Sequence, residues 1–299
     1  MPGRCSRHSL ADFGAAPYHD CALLIRPGMT ASTAFDPARL NASDPPPFEV
    51  INPKGDASLI LCCDHASNAV PAHMARLGLA QAELDRHIGW DIGAAAVTSQ
   101  LAAHKGCPAF LSGYSRLIID CNRPLESPTS IPLTSDGSVI PANQTLSASE
   151  RTLRQAFFFA PYHQALSNFI EGHLAAQRQI PILVSMHSFT PAMNGVARPW
   201  QLGLLFEHDR RLVAPLKRAF LTLDPTLTIG ENEPYAIKGP SDYSIPVHGQ
   251  GRGLPHIEIE VRQDLIESND GAARWAALIA NALDQVLTDP NFRKIERFY

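Results

Sequence analysis

The sequence predicts an α/β fold, a single domain with a mostly parallel mixed sheet flanked by helices. Short apolar runs of strand length alternate along the chain with longer segments of helical pattern. Two of these runs, 59–63 and 182–186, are apolar except for Ser185, as is typical of strands buried on both faces of a parallel sheet. With 299 residues and 45% hydrophobic content, the chain can build one large core. We expect this domain to span residues 47–299.

Residues 1–46 show no sustained hydrophobic period. The end of this stretch, residues 41–47, has the composition of a linker. We expect an extended or poorly ordered extension, or an arm that wraps the domain, and Met29 is an alternative start. The first residues lack a long apolar segment, so we expect no secretory signal and a cytoplasmic protein.

Within the domain, the pattern assigns each element in order. Helix is predicted over 81–104, with Gly89 as a break and Asp91 as the N-cap of the part from residue 92. Ser147 and Glu150 form a capping box that opens a helix to about 179, kinked at Pro161. Further helices are predicted over 208–221 and 271–288. Strands are predicted over 59–63, 109–111, 117–119, 182–186, 202–206 and 257–261. Long loops are predicted over 124–146 and 230–255, and the second is a candidate lid.

Composition excludes several classes of function. The net charge is −4 and no Lys/Arg cluster is present, which argues against a nucleic-acid partner. No apolar run reaches the roughly 18–20 residues of a membrane span. The six cysteines form no C-x-x-C pair, and we expect them to be reduced and buried. Phosphate-loop and G-x-S-x-G motifs are absent, and the glycines at 249–253 lack the strand and helix of a dinucleotide site.

Two of the most hydrophobic runs end in a histidine, His65 after 59–63 and His187 after 182–186. Sites in open α/β sheets form at the carboxyl ends of strands, so the two imidazoles can share one metal ion, most suitably zinc. A carboxylate would complete a hydrolytic set, and we expect Asp91 to be this third ligand, with Asp64 or the amide of Asn68 as the alternatives for that position. The competing interpretation is a metal-free scaffold in which both histidines are structural.

Two further polar clusters accompany these histidines. In 115–124, Arg116 and Arg123 bracket an apolar run. A buried arginine needs an acid such as Asp120, which leaves the other arginine to bind a substrate carboxylate. In 256–262, strand alternation places four ionisable side chains on one face, so this strand either lies at a sheet edge or lines a polar site. Glu260, nearer the carboxyl end of the strand, is preferred to Glu258 as general base.

The same segments resemble the N-formylglutamate amidohydrolase family over roughly residues 48–290. The resemblance is carried by CDHASNAVP (63–71), HIGWDIG (87–93), YSRLIIDCNRP (114–124), SMHS (185–188) and EIEVRQDL (258–265). It implies a fold similar to zinc carboxypeptidases and aspartoacylases, and a zinc hydrolase that cleaves the N-acyl (formyl) amide of an acidic amino acid such as N-formyl-L-glutamate.

The resemblance also implies roles. His65, Asp91 and His187 match the positions that would hold the metal, and Arg123, with Asn122, matches the residue that would bind the substrate carboxylate. From the residues themselves we expect Glu260, or else Glu258, to move the proton and Arg116 to stabilise the oxyanion. Ser188 and Arg262 are further candidates for substrate contact. The alternatives are an amidase or carboxypeptidase acting on another N-acyl amino acid or a peptidoglycan fragment, and a non-catalytic protein that binds an acidic metabolite. The expected partner is a small molecule, with no nucleic acid and no membrane, and the sequence leaves the oligomeric state open.

Overall fold

The computed structural model describes residues 33–176, 179–239 and 241–298. The strands in these ranges are β1 (Phe48–Ile51), β2 (Leu59–Cys63), β3 (Ala109–Ser112), β4 (Thr134–Ser135), β5 (Ser138–Val139), β6 (Ile182–Phe189), β7 (Ala192–Met193), β8 (Val196–Ala197), β9 (Leu202–Leu205), β10 (Ile229–Glu231) and β11 (His256–Arg262). The helices are α1 (Gln81–Leu84), α2 (Ala94–Lys105), α3 (Ala148–Arg154), α4 (Ala160–Ala175), α5 (Val213–Leu223) and α6 (Asn269–Leu287).

The main sheet of the described residues has the strand order β1-β3-β2-β6-β11-β9-β10. The four central strands β3, β2, β6 and β11 are parallel, whereas β1 pairs antiparallel with β3 and β9 antiparallel with β11. The single-domain α/β fold with a mostly parallel mixed sheet is therefore confirmed. Because β2, β6 and β11 run in the same direction, the side chains that follow or end them meet at one edge of the sheet.

Both faces of the sheet are covered, as expected for parallel strands without polar alternation. On one face α2, α5 and α6 bury apolar side chains such as Leu101, Phe220 and Leu283 against the strands. On the other face α4 contributes Tyr162 and Leu166 to a second apolar cluster. The two-stranded hairpins β4–β5 and β7–β8 lie outside the main sheet.

The strand predicted over 117–119 is wrong. These residues form a turn in which the Ile118 N–H donates to Ser115 O, and Leu117, Ile118 and Ile119 are buried in a separate apolar cluster. A three-residue apolar run fits a buried turn as well as a strand, because burial alone does not specify backbone conformation.

The helix predicted over 81–104 is two helices, α1 and α2, separated by residues 85–93. Asp91 is not an N-cap, because α2 begins at Ala94 and its cap is Gly93, with φ +82°. A Cβ on Gly93 would lie 2.4 Å from Ile266 O, so both the left-handed backbone and the close approach require glycine. The carboxylate of Asp91 is thereby left for other contacts.

The helix predicted from 147 begins as expected, with Ser147 Oγ accepting from the Glu150 N–H. It continues as a π-helical turn over 155–159 and as α4, which ends at Ala175 rather than near 179. The helix predicted over 208–221 begins later, at Val213. The second hydrogen bond of a capping box, from the Ser147 N–H to the Glu150 carboxylate, is not formed among the described residues.

Glu150 instead accepts from the fully buried Arg154, by Nε at 3.1 Å and Nη2 at 2.7 Å, and from the Phe35 N–H at 3.0 Å. Arg154 Nη1 also donates to Asn143 Oδ1 and Ile118 O. This network fixes the described end of the predicted extension, where Phe35 is buried. Residues 1–32 of that extension lie outside the described residues.

The amino ends of two central strands are joined by one arginine from the C-terminal segment. Arg293 Nη1 donates to Ser58 O at 2.8 Å and to Ile180 O at 3.1 Å, the residues just before β2 and β6. Cys62, Cys63, Cys107 and Cys121 are free and buried as predicted, whereas Cys5 and Cys21 lie outside the described residues. Within the described ranges, no helix has the length and apolar content needed to span a bilayer.

Candidate active site

A cavity of about 620 Å³ opens at the carboxyl ends of β2, β6 and β11. Nine of the ten predicted site residues line it: His65, Asp91, Arg116, Asn122, Arg123, His187, Ser188, Glu258 and Glu260. Arg262 does not, because its guanidinium turns to Asp264, with Nε 2.8 Å from Oδ1, and to Arg198 O. The fold thus brings together residues that are far apart in sequence, as the strand-end argument predicts.

Three side chains converge at the floor of this cavity. Asp91 Oδ2 lies 2.8 Å from His187 Nδ1 and 3.4 Å from His65 Nδ1, and all three residues are at most 5% exposed. Potential ligand atoms of these residues lie within 4.8 Å of one another. His65 Nδ1 is buried without a hydrogen-bond partner in the described structure. An orphaned ring nitrogen beside a second imidazole and a carboxylate is a donor set that fits a divalent cation, and zinc in particular.

The far nitrogens of both rings are also held. His65 Nε2 lies 2.7 Å from Asp120 Oδ1, and an ionised carboxylate only accepts, so Nε2 donates and Nδ1 presents a lone pair to the cavity. His187 Nε2 lies 3.0 Å from Ser185 Oγ and 3.4 Å from Asp64 Oδ2. The carboxylate behind His65 and the hydroxyl behind His187 fix the two ring orientations, as outer hydrogen-bond partners do in protein metal sites.

Electrostatics keep the carboxylates of the site ionised. Burial opposes ionisation of Asp91 and Asp120, but the imidazoles of His65 and His187 hold the pKa of Asp91 well below its usual range. For Asp120 the opposing charge of Arg116, followed by His65, lowers the pKa. Arg116 joins the two acids, with Nη2 2.8 Å from Asp120 Oδ2 and Nη1 3.3 Å from Asp91 Oδ1.

Neither Asp64 nor Asn68, the two alternatives for the third ligand, reaches the Nδ1 side of both rings. Asp64 lies behind His187, where its Oδ1 accepts from Tyr162 Oη at 2.7 Å and Ser244 Oγ at 2.8 Å. Asn68 points away and donates to Asp85. Asp91 is the carboxylate between the rings.

The two glutamates of β11 occupy one wall of the cavity. This strand is central, between β6 and β9, so the edge-strand alternative is wrong and its polar face lines the site. Burial raises the pKa of Glu258 to about 7 and that of Glu260 to about 8, and repulsion by Glu258 adds to the shift of Glu260. Glu258 Oε2 is 3.9 Å from His187 Nε2, on the far side of that ring from Nδ1. Glu260 is the register partner of His187.

Both arginines of the segment 115–124 have acidic partners. Arg116 pairs with Asp120 as the sequence suggests, and Arg123 Nη1 lies 2.8 Å from Asp242 Oδ1. Asn122 Oδ1 accepts from the N–H groups of Tyr243 and Ser244. Asn122 therefore anchors the chain that carries Asp242.

Ser188 sits beside the metal-binding candidates and ties the loop before α2 to β6. Its N–H lies 3.3 Å from Asp91 Oδ2, and its hydroxyl donates to Ile92 O at 2.8 Å. Its hydroxyl proton is therefore used within the protein.

Sequence reasoning missed several cavity residues in the loop predicted as a candidate lid. Tyr235, Lys238 and Asp242 line the cavity from this loop. The Tyr235 hydroxyl accepts from Arg198 Nη2 at 2.8 Å, and Arg198 lies over its ring at 4.7 Å. The only signal in the sequence is the tyrosine, glycine and proline content of 230–255, which does not select individual residues.

Comparison with known proteins places the chain in a family. The model of the N-formylglutamate amidohydrolase family matches residues 57–267. No curated protein sequence shows significant similarity to the chain.

Among solved structures, the chain is similar to gene product Atu2144 from Agrobacterium tumefaciens, with 31% identity, a TM-score of 0.77, and coverage of 83% of this chain and 98% of that one. It is also similar to N-formylglutamate amidohydrolase from Ralstonia eutropha JMP134, with 20% identity, a TM-score of 0.56, and coverage of 81% and 97%. A third similarity, to succinylglutamate desuccinylase from Chromobacterium violaceum, has 12% identity, a TM-score of 0.41, and coverage of 81% and 65%. The chain belongs to the N-formylglutamate amidohydrolase family, whose members are hydrolases that act on amide bonds.

Proposed function

We propose that the protein is a zinc-dependent amidohydrolase that removes the N-acyl group, such as formyl, from an acidic amino acid such as glutamate. The observation that carries the proposal is the convergence of the side chains of His65, Asp91 and His187 within a cavity that also contains Arg123. Two imidazoles and one carboxylate form a ligand set used by catalytic zinc, which leaves a position open for water or substrate.

A zinc ion held by these three residues supplies Lewis acidity, which polarises the acyl carbonyl and lowers the pKa of water. Asp120 orients the ring of His65 from behind, and Ser185 Oγ holds Nε2 of His187. Because both rings are buried and each is held by a hydrogen bond at Nε2, we expect the ligands to need little rearrangement when the ion binds.

Glu260 is proposed to take the proton of the attacking water and deliver it to the leaving amine. It lines the cavity as the register partner of His187, whereas Glu258 Oε2 lies 3.9 Å from His187 Nε2. Its Oε2, like that of Glu258, is buried without a hydrogen-bond partner in the described residues. Glu258 remains the alternative base, one strand repeat earlier.

Arg116 is proposed to stabilise the oxyanion. Three of its five N–H donors meet Asp91 and Asp120, and the second hydrogens of Nη1 and Nη2 remain to donate into the cavity. Arg123, with Asn122, is proposed to bind the substrate carboxylate at the same cavity.

The first experiment is metal content by elemental mass spectrometry, with hydrolysis of N-formyl-L-glutamate, on wild type and His187→Ala. We expect about one zinc per chain and turnover in the wild type, and loss of both in the variant. The exposed His208 gives a matched control, and His208→Ala should retain metal and activity. A wild type without zinc after incubation with the ion would refute the metal site and favour a non-catalytic protein that binds an acidic metabolite.

A related substrate is the second candidate, because a cavity of about 620 Å³ is as large as pockets that hold drug-sized ligands. A panel of N-acyl glutamates and aspartates with formyl, acetyl and succinyl groups, together with a peptidoglycan fragment, separates these cases.

The free, buried cysteines also support the proposed cytoplasmic location, where thiols stay reduced.

A further inference from the structure

The contact between Arg123 and Asp242 joins the predicted carboxylate-binding residue to a side chain of the loop that covers the cavity. Asp242 Oδ1 lies 2.8 Å from Arg123 Nη1, and the second contact of Nη1 is with Asn122 O at 2.9 Å. The side chains of Arg123 and Asp242 are 26% and 17% exposed. The pair is thus partly shielded from water but accessible to a ligand in the cavity.

These two contacts use one nitrogen and leave the other edge of the guanidinium open. Among the described residues, Nε and Nη2 of Arg123 make no hydrogen bond. Nε and Nη2 form the planar fork that binds a carboxylate through two parallel hydrogen bonds. Asp242 therefore does not occupy the position that a substrate carboxylate needs.

The carboxylate of Asp242 is itself held in place. Its Oδ2 accepts from the Lys238 N–H at 3.0 Å. The two residues that follow Asp242 donate their N–H groups to Asn122 Oδ1, at 3.1 and 3.0 Å, and Ser244 Oγ donates to the buried Asp64. Asp242 thus presents a fixed charge to Arg123.

The acid three residues before Arg123 already has other partners. Asp120 accepts from His65, from Arg116 and from the Asn122 N–H. The ion pair with Asp242 therefore gives Arg123 an acidic partner outside this cluster.

We propose that Asp242 is a specificity-determining positioning residue, which holds Arg123 so that its Nε–Nη2 edge receives one carboxylate of the substrate. This inference rests on the proposed function, because it concerns the recognition of a substrate that carries a carboxylate. It assigns Asp242 no contact with the reacting amide.

The test compares kinetics for N-formyl-L-glutamate and for its uncharged diamide. We expect Asp242→Ala to raise KM for the diacid by about tenfold, which corresponds to about 1.4 kcal/mol of binding, with kcat within about twofold. The diamide should show no change in KM, because it has no carboxylate to place. Asp242→Asn keeps an acceptor oxygen, so its effect should be smaller.

A double-mutant cycle and a matched control separate positioning from loosening of the loop. In the Arg123→Ala background, Asp242→Ala should have no further effect on KM. Glu207 Oε1 accepts from the Gly239 N–H of the same loop at 2.8 Å without touching Arg123, so Glu207→Ala should leave KM unchanged.

Three results would overturn the inference: a lower KM in Asp242→Ala, an equal KM change for the diamide, or additive effects with Arg123→Ala. Calorimetric titration of the metal-free protein with glutarate keeps the test independent of turnover. Glutarate should bind to the wild type and at least tenfold more weakly to Asp242→Ala and Arg123→Ala. If no N-acyl amino acid is hydrolysed but this pattern is found, the proposed function fails and the role of Asp242 stands.

Discussion

His65 and Asp120 are joined by a 2.7 Å hydrogen bond that fixes which nitrogen of the imidazole faces the cavity. Nε2 donates a hydrogen bond to the carboxylate, and Nδ1 lies 3.4 Å from Asp91 Oδ2. The ring orientation needed for a ligand is thus set by a residue 55 positions away in the sequence.

Asp120→Asn should weaken zinc affinity by about 10–100-fold, because a neutral amide supports the His65 tautomer less well. Competition with a chromogenic chelator measures the affinity. Asp264→Asn is the control, since Asp264 pairs with Arg262 outside the cavity. Equal affinities of Asp120→Asn and wild type would show that Asp120 does not tune the ligand.

Two buried histidines predict a loss of stability in acid. His163 Nδ1 lies 3.0 Å from His248 Nε2, and burial lowers the pKa of His163 to about 4 and that of His248 to about 3. The unfolded chain therefore binds more protons below its own histidine pKa of about 6.5, so stability is complete above that pH and falls below it.

At pH 5, which is 1.5 units below the unfolded pKa, each histidine lowers the free energy of unfolding by about 2 kcal/mol. Urea denaturation at pH 7 and pH 5 measures the fall in the free energy of unfolding. His248→Gln should be less sensitive to acid than the wild type, whereas substitution of the exposed His208 should not change the sensitivity. The same pH dependence in His248→Gln would contradict this explanation.

Arg154→Met should destabilise the protein by about 3–5 kcal/mol, because it leaves the carboxylate of Glu150 without its buried partner. Replacing both residues, as Arg154→Met with Glu150→Leu, should recover part of the loss by removing the unpaired charge. Guanidinium denaturation compares the three proteins. A double variant that is less stable than Arg154→Met would indicate that the carboxylate contact with Phe35 N contributes more than the ion pair.

Gly93→Ala should destabilise the protein by about 3 kcal/mol, since the residue has φ +82° and its Cβ would meet Ile266 O at 2.4 Å. Relaxation of this strain would move the loop that carries Asp91, so zinc affinity should fall as well. Thermal unfolding and chelator competition measure the two effects. Gly106 also has positive φ but open space around it, and Gly106→Ala should leave zinc affinity unchanged.

The central strands and the histidines that follow them could be predicted from sequence, because apolar runs such as 59–63 and 182–186 have one structural explanation in an α/β chain. The three-residue run at 117–119 does not, and it forms a turn. Asp91 is predicted as the third ligand from its place after the His65 strand as well as through the family resemblance, whereas its predicted capping role is wrong because Gly93 is the N-cap of the helix.

Asp242 and Tyr235 could not be predicted, since a loop position acquires its neighbours only from the tertiary fold. The acidic partner of Arg123 lies 119 residues further along the chain. Which of two glutamates on one strand face acts as the base likewise depends on how His187 turns its two nitrogens, which residue spacing does not specify.

Arg293 binds Ser58 O and Ile180 O, which precede β2 and β6, at the opposite end of these strands from His65 and His187. The contacts that join the two strands to the C-terminal segment and the residues of the candidate site are therefore separated by the length of the strands. Directed evolution of heat tolerance can concentrate on the amino ends of these strands, around Arg293, where substitutions do not touch the residues that line the cavity.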